Sequence, residues 1–257
     1  IEEVGSDVTL FKIGDRVSHA SMPIGAYSEK HIMPENKLVP VPDGVSDEVA
    51  SCVTLKGMTA EYLLHRAYPL KKGDKILYHA AAGALGQILC PWANSIGAEI
   101  IGTVGSKEKE EVAKKNGCHH VINYTEKNFV EEVEKIVGKN GIDVVYDGVG
   151  LKTFEGSIEV LKIRGMMVAF GNASGYVDTI DVKKHINAKG LFFTRPSIAH
   201  YTVEREELLE SAKKVFDAVL SGKFKIEISK KYSLDEVKKA HEDLEGRLLT
   251  GPAVIKP

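Results

Sequence analysis

The chain is expected to be an α/β protein: a doubly wound parallel sheet joined to a smaller β-rich region. Three observations lead there. From Lys75 to about Thr194, near-continuous apolar strand patterns alternate with helical ones, as in a parallel sheet covered on both faces. A glycine turn, Ala81-x-Gly83-x-x-Gly86, follows the first of these strands and opens an apolar helix. The flanking segments carry short, turn-rich strands, one of them interrupted by Pro40 and Pro42.

The elements can be justified in order. Lys12-Ile-Gly-Asp-Arg-Val reads as a turn entering a strand, Gly25 to Ile32 as a strand, and Lys37 to Pro42 as an edge segment. Helical periodicity begins near Ser46, with a serine or aspartate as N-cap, and a second helix is expected from Thr59 to Ala67. Strands then follow at 75–80, 99–104, 120–123, 142–147, 165–170 and 191–194. Helices lie between the first five, at 84–96, 107–116, 126–137 and 152–161, and a shorter helical stretch at 182–188 precedes the last strand. The tail reads as an amphipathic helix from Glu204 to Leu220, a strand from Phe224 to Ile228, a helix from Asp235 to Leu244 and a last strand from Pro252 to Ile255. The tail strands need a sheet to join, and the amino-terminal β region is their natural partner.

Strand, glycine loop and helix in that order make a phosphate cradle, because the turn presents backbone N–H groups and the helix N-terminus adds partial positive charge. Gly83 lets the backbone approach a pyrophosphate, and Gly86 lets the helix pack closely on the strand. Alanine at position 81 implies that this turn position does not need a positive φ. The second strand, Glu99 to Val104, runs into Gly105-Ser106-Lys107-Glu108-Lys109 with no acid at its tip. A site for an unphosphorylated dinucleotide places Asp or Glu there to hold the ribose hydroxyls. A hydroxyl and ammonium groups suit a 2′-phosphate, so the expected cofactor is NADPH. Lys109 is the candidate ligand, while Lys107 reads as the solvated first turn of a surface helix.

Composition sets bounds. The 257 residues allow one large or two modest domains. A net charge of −2 without a basic block argues against nucleic acid as a partner. No apolar run approaches membrane-spanning length. Three isolated cysteines, Cys52, Cys90 and Cys118, fit a reducing cytoplasm and read as small buried hydrophobes. The chain opens in mid-pattern without methionine, so upstream residues are expected to be absent from it.

An ordered series of strings spans nearly the whole chain. It comprises Gly14-Asp-Arg-Val, Gly25-Ala-Tyr-Ser, Leu55-Lys-Gly-Met-Thr-Ala-Glu-Tyr, His79-Ala-Ala-Ala-Gly-Ala-Leu-Gly and Gly102-Thr-Val-Gly-Ser. It continues with Val121-Ile-Asn-Tyr, Val144-Val-Tyr-Asp-Gly-Val-Gly, Phe170-Gly-Asn-Ala-Ser-Gly and Thr194-Arg-Pro-Ser. In these strings the sequence resembles the zinc-free NADPH:quinone oxidoreductases, the zeta-crystallin-like branch of the medium-chain dehydrogenase/reductase superfamily. The resemblance implies a Rossmann NADPH-binding domain at 58–192, set into a partial GroES-like β-rich catalytic domain formed by 1–57 and 193–257. It also implies a homodimer. Dimerisation through an exposed last strand, Leu191 to Thr194, follows from sheet-edge logic as well.

The resemblance places residues. Gly83, Ala84, Leu85 and Gly86 would line the pyrophosphate; Gly105, Ser106, Lys109 and Tyr124 would surround the 2′-phosphate, with Arg247 reaching in from the tail. Val149, the loop Phe170, Gly171, Asn172 and Ala173, then Phe193 and the segment Pro196, Ser197 and Ile198 would flank the ribose and nicotinamide side. Thr59 would sit near the nicotinamide, or else it is a helix N-cap. By residue type alone Tyr124 reads as packing, Arg247 as solvated, Phe170 and Phe193 as core, and Asp147 as a turn residue. Two departures stand out. Ala84-Leu85 replaces the family's frequent glycine and valine, and the family's chain extends upstream of Ile1 to cover the nicotinamide.

Zinc relatives hold a catalytic metal with a cysteine where this chain has Leu55, and no closely spaced cysteine cluster lies between Pro34 and Cys52. No metal is expected. Without a Lewis acid, an electron-poor acceptor such as a quinone is the natural substrate, and the protein's work is to align nicotinamide and acceptor in a dry interdomain cleft. A neighbouring reading is reduction of the double bond of 2-alkenals and enones. A third is an NADPH-binding, non-catalytic protein, crystallin-like or associated with RNA, which the near-neutral charge does not favour.

Overall fold

The computed structural model describes residues 1–246 and 248–257; Arg247, expected at the 2′-phosphate, lies outside the described residues. The chain divides into two compact units, Ile1–Glu61 with Ile198–Pro257, and Tyr62–Ser197.

In the first unit β1 (Val17–Ser18) pairs antiparallel with β2 (Val39–Pro40). The segment from Gly25 to Ile32, expected as a strand, is instead irregular. The Ser28 hydroxyl donates to the carbonyls of Gly25 (2.6 Å) and Lys30 (2.9 Å), and such local side-chain bonds compete with a strand ladder. A single helix, α1 (Asp47–Tyr62), replaces the two expected, and it runs on into a π-helical turn at Leu63–Ala67. No break occurs because Met58, Ala60, Tyr62, Leu63 and Leu64 are all buried, so packing carries the helix through. Thr59 is therefore not an N-cap. Its hydroxyl bonds back to the Leu55 carbonyl at 2.8 Å, within the helix.

The second unit holds the sheet. Its elements are β3 (Lys75–His79), α2 (Gly86–Ile96), β4 (Glu99–Val104), α3 (Lys107–Lys115) and β5 (His120–Asn123). They continue with α4 (Phe129–Val137), β6 (Ile142–Asp147), α5 (Phe154–Val160), β7 (Leu161–Ala169) and β8 (Phe192–Thr194). All neighbouring strands are parallel, in the order β5-β4-β3-β6-β7-β8. That is the doubly wound order in which the chain reverses direction across the sheet between β3 and β6. Every residue of β6, and all but the first of β3 and β4, is buried, which explains why these strands read as near-continuous apolar runs. Leu77, Ile101, Val145, Ile158 and Met167 form part of one continuous core under the helices.

β7 starts four residues earlier than the apolar pattern suggested. Leu161 pairs with Ile142, the register then slips, and Arg164 takes a left-handed φ of 59°. Lys162, Ile163 and Arg164 in this irregular stretch are exposed, and two of the three are charged, so the apolar pattern does not mark them as strand.

The chain returns to the first unit with α6 (Arg205–Leu220), β9 (Lys230–Ser233), α7 (Val237–Glu245) and β10 (Ala253–Lys256). The buried Glu61 carboxylate on α1 accepts from the Ser211 hydroxyl of α6 at 2.8 Å and from the Lys214 ammonium at 3.3 Å. The tail strands pair with each other in parallel and not with β1 or β2, correcting the expected partnership. The strand expected at Phe224 to Ile228 forms later, at β9. Tyr232 fixes that register, because its hydroxyl donates to the buried Asp243 carboxylate of α7 at 2.6 Å.

Candidate functional site

The carboxyl ends of β3, β4, β5, β6 and β7 gather most of the residues singled out by sequence. The loop after β3 is strained at one point. Ala80, not Ala81, takes the left-handed conformation, with φ of 63°. Ala81 is tied to β4 by its N–H to the Thr103 carbonyl (3.0 Å), and the Gly83 N–H closes the turn on the Ala80 carbonyl (2.9 Å). Among the described residues the N–H groups of Ala84, Leu85 and Gly86, at and just before the start of α2, have no protein acceptor. Gly86 makes this possible. A Cβ there would lie 2.1 Å from the Ala81 carbonyl oxygen, so the helix can begin against the strand end only without a side chain. A row of free donors at a helix N-terminus, reached by bare backbone, fits a pyrophosphate.

The tips of β4 and β5 form the second group. The Tyr124 N–H bonds to the Val104 carbonyl at 3.1 Å, and its phenol lies over Gly105. A Cβ on Gly105 would be 2.5 Å from the Tyr124 oxygen. Tyr124 is thus half exposed and presents a hydroxyl, so the packing reading of this residue gives way to a surface one. Ser106 sits at the start of α3 without capping it. Its hydroxyl meets the exposed Glu108 carboxylate and holds it below its ordinary pKa. Lys109 is half-buried on the first turn of α3, whereas Lys107 is exposed. Ser106 and Lys109 thus lie at the start of α3, after β4, and Tyr124 follows β5, the strand paired with β4.

The third group joins the loops after β6 and β7. Asp147 ends β6 fully buried, and far from being a simple turn residue it accepts four hydrogen bonds. Oδ1 takes the N–H groups of Val149 (2.8 Å) and Gly150 (2.9 Å); Oδ2 takes the hydroxyls of Thr153 (2.7 Å) and Ser157 (3.0 Å). Backbone bonds zip the two loops together: Phe170 and Gly171 donate to the Asp147 carbonyl, Ala173 to Gly148, Ser174 to Val149 and Leu151 to Gly175. Val149, Gly171 and Asn172 are consequently partly exposed on one ordered rim. Phe170 stacks on Tyr78 at 6.5 Å, and Phe193 meets Phe154 edge-on at 6.3 Å against the core. Pro196 and Ser197 end the second unit, while Ile198 and Thr59 belong to the first.

The sequence reading missed His79, Thr103 and Ser157, which form a buried polar chain with Asp147, and the half-buried Thr153 that also donates to it. One signal was present, an imidazole at the end of an otherwise apolar strand.

Among the described residues no group of three or more His, Cys, Asp or Glu side chains could hold a metal ion. Leu55 is exposed on α1 and offers no ligating atom, and Cys52 is buried. This donor set does not fit zinc. No helix among the described residues is long and apolar enough to cross a membrane.

A family profile described as zinc-binding dehydrogenase matches residues 84–221. The chain is 45% identical to a 2-haloacrylate reductase of a Burkholderia species, an alignment covering 100% of this chain and 78% of that protein. It is 42% identical to quinone oxidoreductase 1 of Escherichia coli, covering 100% and 79%. The crystal structure of Escherichia coli quinone oxidoreductase complexed with NADPH superposes with a TM-score of 0.96 at 42% identity, again over 100% of this chain and 79% of that one.

Proposed function

Because the chain belongs to the quinone oxidoreductases, within the medium-chain dehydrogenase/reductase superfamily, we propose that it reduces quinones with NADPH and without a metal. The observation that carries this reading is its likeness, over the whole chain, to an enzyme whose structure was solved with NADPH. When bound, NADPH supplies the hydride. The free N–H groups of Ala84, Leu85 and Gly86 would hold its pyrophosphate, and Tyr124, Ser106 and Lys109 its 2′-phosphate, with a Gly105 backbone close enough to admit it. The rim of Val149 and Phe170 to Ala173 would orient the nicotinamide half. Pro196 and Ser197 complete the set proposed within the second unit. A quinone is electron-poor enough to accept reducing equivalents without a Lewis acid, so the protein's contribution is alignment and exclusion of water.

One observation favours a second reading. The 45% identical relative is a 2-haloacrylate reductase, so an activated carbon–carbon double bond is the alternative acceptor. NADPH oxidation with 1,4-benzoquinone, compared with 2-alkenals and 2-chloroacrylate, separates the two. Turnover of the alkenes alone overturns the quinone assignment, binding of NADPH with no turnover favours a non-catalytic role, and stoichiometric zinc overturns the metal-free one. We also propose a homodimer formed along β8, the last strand of the sheet, with Phe192 exposed beside it. Sedimentation as a monomer would remove that proposal. The free, buried cysteines support a cytoplasmic setting.

A further inference from the structure

The buried chain that begins at Thr103 ends on the rim of the candidate site. His79 Nδ1 lies 2.9 Å from the Thr103 hydroxyl, and Nε2 lies 3.0 Å from the Ser157 hydroxyl. Ser157 in turn is 3.0 Å from Asp147 Oδ2. The Phe129 ring meets the imidazole edge-on at 5.1 Å. All of the imidazole, Thr103, Ser157 and Asp147 are buried.

Donor arithmetic orients every proton. An ionised carboxylate only accepts, so the Ser157 hydroxyl donates to Asp147 and its oxygen remains as the acceptor for His79. His79 therefore carries its proton on Nε2, and the Thr103 hydroxyl donates to the bare Nδ1. One neutral tautomer satisfies the whole chain. Burial pushes the imidazole below its ordinary pKa, and the Asp147 carboxylate offsets this only in part, so the neutral form is the one held.

We propose that His79 is a positioning residue for the reduction: through Ser157 it fixes the Asp147 carboxylate against the Val149 and Gly150 N–H groups, and so sets the rim on the nicotinamide side. This rests on the reading, given above, that the rim orients the nicotinamide half of NADPH. Without Ser157 held in place, Oδ2 keeps only the Thr153 hydroxyl, and the carboxylate can turn away from the two N–H groups it organises. At position 79 both ring nitrogens have hydrogen-bond partners. A hydrogen-bonded imidazole there specifies orientation, which packing does not.

His79→Leu and Ser157→Ala test this in the purified protein. Each is expected to lower kcat for NADPH-dependent quinone reduction about tenfold, because a small misplacement of the reacting groups is costly. The double variant should fall no further than either single one, since both cut the same chain. Affinity for adenosine 2′,5′-bisphosphate, which reports only the adenosine half, should stay within about twofold of wild type. His79→Gln keeps a donor toward Ser157 and should recover most of kcat. Wild-type kcat in either single variant, or an equal loss of bisphosphate affinity, overturns the proposal. Should His79→Leu fail to fold, Ser157→Ala carries the kinetic test, and nitrogen NMR of wild-type His79 adds an independent one. An Nε2–H neutral ring is expected near neutral pH; an Nδ1–H ring or an imidazolium overturns the assignment. A wild-type protein that oxidises no NADPH with any quinone would instead remove the reading on which the proposal rests.

Discussion

Replacing Gly86 by alanine puts a methyl carbon 2.1 Å from the Ala81 carbonyl oxygen. Real Cβ contacts essentially never fall below 3.0 Å, so the helix start or the carbonyl must retreat by about 0.9 Å. Neither is free to do so. The same carbonyl accepts from the Asn116 side chain at 3.1 Å, and the Ala81 N–H is bonded to Thr103 of β4. Overpacking of this kind costs about 1–3 kcal/mol, and losing the Asn116 bond adds roughly 1 kcal/mol. The expected destabilisation of Gly86→Ala is therefore about 2–4 kcal/mol, read as a urea midpoint lower by roughly 1 M. The same retreat moves the N–H groups of Ala84 to Gly86 and should weaken NADPH binding about tenfold or more, measured by fluorescence titration. Gly83→Ala is the control for the urea midpoint alone, because Gly83 itself belongs to the proposed cradle. Its Cβ would lie 3.2 Å from the Ala80 oxygen and its φ is not left-handed, so a shift of tenths of an ångström suffices. A Gly86→Ala protein with wild-type midpoint and wild-type NADPH affinity would refute both the close approach and the cradle built on it.

Lys109→Glu should weaken NADPH binding about tenfold or more while sparing NADH, because one charge-assisted contact is worth about 1.5–3 kcal/mol; unchanged NADPH affinity removes Lys109 from the site. Ala80→Gly should raise stability by roughly 0.5–1 kcal/mol, since it relieves a left-handed alanine at the expense of a more flexible unfolded chain; a lower thermal midpoint contradicts this. Asp243 is held at a pKa of about 2, below the usual 3.8, first by the Lys230 ammonium and then by the Tyr232 hydroxyl. A depressed carboxylate stabilises the fold above its unfolded value and loses that contribution as pH falls from about 3.8 toward 2. Asp243→Asn should therefore lower stability at neutral pH and flatten its acid dependence in that window; parallel acid titrations of the two proteins would count against the ion-pair account.

The sheet and its cradle were legible because their signals are local. Near-continuous apolar runs alternating with helical patterns point to a parallel sheet, and β3 to β6 form within one or two residues of where those runs lie. Gly86 announces its own necessity, because only glycine tolerates the approach that a strand–turn–helix of this kind makes. The absence of an acid at the tip of β4 is likewise a sequence fact.

What stayed hidden depends on partners remote in the chain. Nothing near Thr59 says that α1 continues, because the buried faces of Tyr62, Leu63 and Leu64 are made by packing. The left-handed turn falls on Ala80 rather than on a glycine, since the sheet holds both of its ends. His79 and Ser157 stand 78 positions apart, and Asp147 becomes an acceptor of four bonds only when β6 lies beside β3 and α5 closes over it. Short-range patterning thus specifies which segments become strands and helices, and where a dinucleotide backbone can approach. The placement of single protons and the tension of one loop belong to the folded whole, because they are set by donors and acceptors that meet only after the chain has crossed the sheet.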